Sequence, residues 1–143
     1  MTIESAAPAI VQYLRQQLPH MRALLQQLAL IESPSTVPES QKEVLTPLAE
    51  ILSAIRYHVH LIPGKQTGGH LYARPQQRGK QQPIQLLLGH CATVWPLGTL
   101  KDMPLEMGEG VMRGPGVYDM KAGLVQMTYA LQALHELRLE PAV

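Results

Sequence analysis

Cysteine is almost absent from this 143-residue sequence, in which Cys91 is the only one. A single cysteine excludes an internal disulfide and excludes a zinc site built from cysteines. Charge is also scarce, because charged residues make up 16% of the chain and hydrophobic residues 45%. A chain of this length and composition can bury a hydrophobic core without disulfides, so the sequence predicts one globular domain.

The sequence also lacks a strong charge bias and a targeting signal. Its net charge is +1 and no basic stripe is present, so nucleic acid is not predicted as a partner. The first residues contain neither the basic nor the apolar region of a secretory signal. No apolar run approaches the roughly 20 residues that a membrane span needs. We therefore expect a cytoplasmic protein without membrane association.

Hydrophobic periodicity predicts three helical regions. Apolar residues recur at helical spacing through residues 6–31, and Pro19 is expected to divide this region into two helices that meet near Leu18. A second helix follows Ser40, which can form a capping box with Glu43. Pro47 is expected either to kink that helix or to mark its true start, with Thr46 as cap. A third helix begins at residue 120 and is expected to lie against a sheet.

Strand patterns separate the second and third helices. Tyr57–Ile62 and residues 70–73 are predicted strands, and the polar residues 76–82 are predicted to form a hairpin tip. The apolar run at residues 84–88 (Ile-Gln-Leu-Leu-Leu) predicts one buried strand. Residues 105–112 predict a hairpin with Gly108 and Gly110 at its turn. Strands interleaved with helices predict an α/β fold.

Two polar residues stand at the ends of these predicted elements. His90 follows the predicted buried strand, and ligands of open α/β sheets gather beyond the carboxyl ends of strands. Asp119 follows a tight loop in which Gly114 and Gly116 flank Pro115, at the start of the third helix. A histidine at a strand end and an aspartate at a helix start can converge on one metal ion. His90 and Asp119 are therefore the candidate metal ligands.

Other roles for these residues stay open at this point. His90 alone is compatible with a structural histidine, and Asp119 with a helix cap. The glycine loop does not carry either of the phosphate-binding patterns G-x-x-x-x-G-K-S/T and G-x-G-x-x-G in order. Cys91 beside His90 suggests a cysteine nucleophile. However, neighbours on a strand point to opposite faces, and we therefore predict that Cys91 is a small buried residue.

Three stretches together resemble the N-terminal part of a known family. The family is that of the di-zinc metallopeptidases, which includes glutamate carboxypeptidases, aminoacylases, acetylornithine deacetylase and succinyl-diaminopimelate desuccinylase. Residues 31–35 (Ile-Glu-Ser-Pro-Ser) are similar to its opening loop. Residues 86–94 (Leu-Leu-Leu-Gly-His-Cys-Ala-Thr-Val) are similar to its strand ending in H-x-D-T-V. Residues 114–123 (Gly-Pro-Gly-Val-Tyr-Asp-Met-Lys-Ala-Gly) are similar to its G-x-G-x-x-D-x-K-G-G.

The resemblance implies a fold, a cofactor and a reaction. The fold would be the N-terminal portion of a zinc-peptidase-like catalytic domain, with helices packed on a mixed β-sheet. His90 would ligate one zinc ion and Asp119 would bridge two. A metal-held water, activated by a glutamate general base, would attack the amide carbonyl of an N-acyl amino acid or small peptide.

The sequence departs from the family pattern in two ways. Ala92 stands where the family has an aspartate, taken to orient the histidine ligand, and losing such a partner typically costs ~10–100-fold in metal affinity or activity. The general base, the remaining ligands and the lid (dimerisation) domain are expected beyond Val143. We therefore expect residues 1–143 to be an incomplete, inactive part of one catalytic domain.

An alternative is a non-catalytic, truncated module that acts through protein–protein association. Uncovered sheet edges and apolar faces would favour such contacts. The expected partners are then another copy of the chain or the remainder of the catalytic domain. A cysteine hydrolase that uses Cys91 is a third, weaker hypothesis.

Overall fold

The computed structural model describes residues 3–79, 81 and 83–139, which fold into three α-helices and two short β-hairpins. The helices are α1 (Ile3–Leu30), α2 (Gln41–Ala54) and α3 (Ala122–Glu136). The strands are β1 (Tyr57–Ile62), β2 (His70–Pro75), β3 (Glu106–Gly108) and β4 (Val111–Arg113). Short 3₁₀ turns occupy Pro38–Ser40 and Thr99–Lys101, and a π turn at Val117–Lys121 leads into α3. The α/β class predicted from the sequence is confirmed.

The hydrophobic core lies where the three helices meet. Each helix contributes two buried side chains to it: Leu24 and Leu28 from α1, Val44 and Leu48 from α2, and Val125 and Tyr129 from α3. The α3 helix packs mainly on α1, whereas α2 packs on the β1–β2 hairpin. The expectation that the third helix lies against a sheet is therefore wrong, because α1 provides the apolar surface that α3 covers.

The helix boundaries correct two predictions. The α1 helix runs without interruption through Pro19, because partly buried Leu14 and Met21 pack against the same core on either side of it. The α2 helix begins at Gln41, so Pro47 does not mark its start. The predicted capping box is also absent, since the Ser40 hydroxyl donates to the Val37 carbonyl oxygen at 2.7 Å instead of capping the helix.

Both strand pairs are antiparallel, as hairpins require. The β1–β2 pair runs in register from Tyr57 opposite Pro75 to Ile62 opposite His70. The second pair turns at Glu109 and Gly110, both of which have positive φ; the predicted hairpin is confirmed, but Gly108 lies in β3 and not at the turn. Positive φ at both central residues is the geometry that closes a two-residue hairpin.

The predicted buried strand at residues 84–88 is not formed. These residues belong to no helix or strand, and Ile84, Leu86 and Leu88 are 65%, 69% and 77% exposed. A strand needs a neighbour for its backbone N–H and C=O groups, and within the described part of the chain β1 and β2 pair only with each other. The predicted hairpin tip at 76–82 fails for the same reason; positions 80 and 82 lie outside the described residues.

Candidate metal centre

His90 is held by contacts with the segment that follows α1, because the expected strand before it is missing. The Ser33 hydroxyl donates to the Cys91 carbonyl oxygen at 2.7 Å, and the Thr93 N–H donates to the Ser33 carbonyl oxygen at 2.8 Å. Pro34 and Thr93 form a single parallel bridge. Ser33 is completely buried. The backbone after His90 is therefore fixed by a short parallel pairing instead of a full sheet.

The start of α3 also holds the segment that contains His90. The His90 N–H donates to the sulfur of Met120 at 3.4 Å. A Cβ on Gly89 would lie 2.7 Å from a methyl carbon of Leu124, which is closer than real Cβ contacts. The chain just before His90 therefore passes directly over the first turn of α3, which follows the turn that carries Asp119.

Asp119 lies in the π turn before α3, in a backbone conformation that is not helical (φ −121°, ψ 100°). The Asp119 carboxylate contacts the His90 ring, which favours a site residue over the alternative of a helix cap. The peptide bond from Asp119 to Met120 is cis. The carboxylate emerges from an irregular turn whose ends are held by the buried side chains of Val117 and Lys121.

Gly116 brings this turn against the His90 segment. Its φ is +73°, and a Cβ at this position would lie 2.6 Å from a methyl carbon of Thr93. Glycine is required here for two reasons, since the conformation is left-handed and the approach leaves no space for a side chain. The tight loop predicted from the two glycines and Pro115 is therefore present, and it brings the turn that carries Asp119 close to the segment that carries His90.

The structure brings His90 and Asp119 together. The His90 Nε2 atom lies 3.0 Å from an Asp119 carboxylate oxygen, and the two side chains are 51% and 78% exposed. The second ring nitrogen, Nδ1, lies 3.0 Å from the Ala92 carbonyl oxygen. This backbone oxygen gives the imidazole a partner at residue 92 although the side chain there is alanine.

Both ring nitrogens of His90 thus face oxygens that only accept hydrogen bonds. A neutral imidazole carries one N–H, so it can donate to one of them only. When Nδ1 donates to the Ala92 carbonyl, the lone pair of Nε2 points at the Asp119 carboxylate. A cation, either a proton or a metal ion, is then needed between these two atoms. A histidine whose Nδ1 is held by a carbonyl is the usual arrangement of a metal ligand.

The pair fits part of a zinc site. Ligand atoms that each lie ~2.0–2.1 Å from a tetrahedral zinc ion are separated by about 3.3 Å, which is close to the observed 3.0 Å between Nε2 and the carboxylate oxygen. Catalytic zinc usually has three protein ligands and a water. Among the described residues, no group of three or more histidine, cysteine, aspartate or glutamate side chains could hold a metal ion. His90 and Asp119 are therefore two candidate ligands with no third beside them in the described part of the chain.

Cys91 does not suit the role of a nucleophile. Burial raises the pKa of its thiol, and the thiolate is the reactive form. The remaining histidines lie elsewhere: His20 on α1, His58, His60 and His70 on the β1–β2 hairpin, and His135 on α3. The prediction that they are surface or strand residues agrees with these positions.

Two charged residues beside the pair were missed by sequence reasoning. Lys121 is 1% exposed, its ammonium donates to the Ile31 carbonyl oxygen at 2.7 Å, and burial lowers its pKa to about 8. Glu32 accepts the N–H groups of Gly98 at 2.7 Å and Leu100 at 2.9 Å, and these hydrogen bonds lower the pKa of its carboxyl. The only sequence signal was that Glu32 and Lys121 each stand inside a stretch that resembles the family.

The part of the chain that carries the pair is similar to a known protein family. Residues 86–143 match the family described as Peptidase family M20/M25/M40. His90, Asp119 and the intervening loop all lie within the matched stretch. No curated protein matches the chain. Within the residues that the structure describes, no helix combines the length and apolar character needed to cross a membrane. The match supports a metallopeptidase-like hydrolase.

Proposed function

We propose that this chain is part of a zinc-dependent metallopeptidase or amidohydrolase of the M20 type, in which His90 and Asp119 would be metal ligands. The observation that carries the proposal is the pair itself. An imidazole nitrogen and a carboxylate oxygen lie 3.0 Å apart on an exposed surface, where one metal ion can reach both atoms. The match of residues 86–143 to a peptidase family supports the choice of zinc over a proton.

Each residue near the pair has a definite part in this proposal. The Ala92 carbonyl keeps the proton on Nδ1, so that Nε2 stays free for the metal. The Asp119 carboxylate has two oxygens, and one of them already faces Nε2. Bound zinc would supply Lewis acidity and an activated water for hydrolysis of an amide bond. The proposed substrates are N-acyl amino acids or small peptides.

We propose in addition that residues 1–143 do not turn over substrate on their own. Two protein ligands do not complete a catalytic zinc site, which usually has three protein ligands and a water. Within the described residues, His90 and Asp119 have no third ligand side chain beside them. Zinc binding, and not hydrolysis, is therefore the property to test in this chain.

The experiment is a zinc titration of the purified chain by calorimetry. We expect binding to the wild-type chain, and a loss of at least ~10-fold in affinity for His90→Ala and for Asp119→Asn, because each removes a ligand. His58→Ala is the matched control, since His58 is an exposed histidine on the β1–β2 hairpin. Equal zinc affinity in all four proteins would refute the proposal.

A second candidate function is association with another polypeptide. The observation that favours it is the apolar segment at residues 84–88, in which Ile84, Leu86 and Leu88 are largely exposed. Exposed apolar patches commonly mark contact surfaces or aggregation sites. Sedimentation of the purified chain tests this function, and a monodisperse monomer at all concentrations would contradict it.

A further inference from the structure

The residues that directly follow α1 bond to chain neighbours of both members of the His90–Asp119 pair. On the histidine side, the Ser33 hydroxyl donates to the Cys91 carbonyl oxygen at 2.7 Å. On the aspartate side, the Lys121 ammonium donates to the Ile31 carbonyl oxygen, also at 2.7 Å. We call residues 31–33 the platform. Both tethers are long-range in sequence, and both end within three residues of each other.

The Asp119 side chain cannot be placed by its own burial. Its carboxylate is 78% exposed, and the neighbouring Tyr118 is 96% exposed. The buried residues of the turn are Val117 and Lys121, which are 7% and 1% exposed. The course of the backbone at Asp119 is therefore set by these two flanking anchors.

Lys121 is the anchor whose side chain reaches another segment of the chain. Its N–H donates to the Gly116 carbonyl oxygen at 3.0 Å, which closes the turn on itself. Its Cδ and Cε lie 3.5 Å from the position of a Cβ on Gly116, so the methylene chain runs along the inside of the loop. The ammonium at its end then reaches the platform. One side chain thus links the loop that carries Asp119 to the end of α1.

The histidine side has a corresponding tether. Ser33 is fully buried, and its hydroxyl and carbonyl oxygen bond to the backbone on both sides of Ala92, at Cys91 and Thr93. These bonds fix the backbone that follows His90 and carries the Ala92 carbonyl. The separation of the two candidate ligands is therefore determined by two independent tethers to one short segment.

We propose that residues 31–33 are the positioning platform of the metal centre, with Lys121 as the positioning residue for Asp119 and Ser33 as the positioning residue for His90. This inference rests on the proposed function, because positioning matters for a pair of ligands. Neither residue touches the metal; each acts through the ligand that its tether holds.

A purely structural role makes a different prediction. Lys121→Met removes a buried charge, which relieves a desolvation cost, and leaves the Ile31 carbonyl without its donor, which lowers stability. If Lys121 only filled space, Lys121→Met would leave the pair and its zinc affinity unchanged. If Lys121 positions Asp119, the same variant stays folded and loses zinc affinity. Partners that orient metal ligands typically contribute ~10–100-fold to metal affinity.

The experiment compares Lys121→Met and Ser33→Ala with the wild-type chain. The controls are Lys42→Met, which removes an exposed ammonium on α2, and Ser53→Ala, which removes an exposed hydroxyl that donates to a carbonyl oxygen at the same 2.7 Å. Circular dichroism establishes that each variant is folded. Zinc affinity is measured by calorimetry, and the side-chain nitrogen shifts of His90 are measured by long-range ¹H–¹⁵N correlation.

We expect both test variants to lose at least ~10-fold in zinc affinity and to shift the His90 nitrogens, while both controls match the wild type. Lys121→Arg keeps a donor and is expected to recover part of the affinity. If Lys121→Met does not fold, Ser33→Ala and Lys121→Arg carry the test. Folded variants with wild-type zinc affinity and wild-type His90 shifts would overturn the proposal.

A failure of the proposed metal centre would give a different result from a failure of the platform. If the wild-type chain binds no zinc, the metal centre is refuted, and the His90 shifts still report the contact with Asp119. Changed His90 nitrogen shifts in Lys121→Met and Ser33→Ala would then still support residues 31–33 as the platform that positions the pair. Unchanged shifts would refute the platform as well.

Discussion

The close approach of Gly116 to Thr93 predicts a specific loss of stability on substitution by alanine. Gly116 has φ +73°, and its Cβ would lie 2.6 Å from a Thr93 methyl carbon. Two other glycines separate these effects. Gly98 has φ +91° with no atom within 4 Å of a Cβ, and Gly108 has an equally open position with no φ in the left-handed region.

The magnitudes follow from these three environments. Left-handed backbone costs an alanine about 1–2 kcal/mol, and overpacking adds about 1–3 kcal/mol. We therefore expect Gly116→Ala to lower the free energy of unfolding by about 2–5 kcal/mol and Gly98→Ala by about 1–2 kcal/mol. Gly108→Ala is expected to change it by less than about 0.5 kcal/mol. The effect of alanine on the unfolded chain is common to all three, so it cancels in their differences.

The assay is urea unfolding followed by circular dichroism, with all three variants and the wild type measured under the same conditions. We expect the loss of stability to be largest for Gly116→Ala, smaller for Gly98→Ala and smallest for Gly108→Ala. Equal losses for Gly116→Ala and Gly98→Ala would refute the reasoning, because they would mean that Thr93 moves aside without cost. The contact between the two segments that hold His90 and Asp119 would then be loose.

Two further predictions concern the charged and polar surroundings of the pair. The free energy of unfolding should rise between about pH 8 and pH 10.5, because folded Lys121 loses its proton near pH 8 while the unfolded chain keeps it to 10.5. The rise is at most about 3 kcal/mol at ~1.4 kcal/mol per pKa unit, and it should be absent from Lys121→Met in urea unfolding at each pH. Ala92→Asp should raise zinc affinity by less than ~10-fold in calorimetry, because the Ala92 carbonyl already holds Nδ1. A rise in zinc affinity of ~100-fold or more in Ala92→Asp, without a similar rise in Ala92→Asn, would contradict this expectation.

The parts of the fold that depend on local sequence were predictable. The three helical regions follow from apolar residues at helical spacing, and the β3–β4 hairpin follows from its turn glycines. The first helix shows the limit of such rules. Proline in a helix interior costs about 3 kcal/mol or more, yet α1 continues through Pro19 because core contacts on both sides of it outweigh this local cost.

The segment at residues 84–88 shows a different limit. One isoleucine and three consecutive leucines within five residues indicate that a segment favours burial, but they do not provide the neighbouring strand that burial requires. Pairing is a property of two segments, and periodicity describes one. The prediction of a strand was therefore a statement about residues 84–88 alone, and the described structure contains no partner for them.

In the candidate site, too, some residues were predictable from local sequence and others were not. His90 and Asp119 were found because each stands in a motif that can be read within ten residues. Lys121 and Ser33 were missed because their partners, Ile31 and Cys91, lie 90 and 58 residues away. A lysine after a glycine loop ordinarily indicates a solvated charge. Its burial results from the meeting of two segments that local patterns do not connect.

This division has a physical reason that bears on the site. A ligand of an open catalytic metal site borders the space that water or substrate enters, so its own burial holds it less firmly. The backbone on either side of it must then be held by other residues, which are buried because they do not take part in the chemistry. In the Asp119 turn, Val117 and Lys121 are buried and the two residues after Val117 are exposed. In the His90 segment, Thr93 is buried and His90 is exposed. The motif therefore contains the candidate ligands together with their anchors, and only the structure distinguishes one from the other.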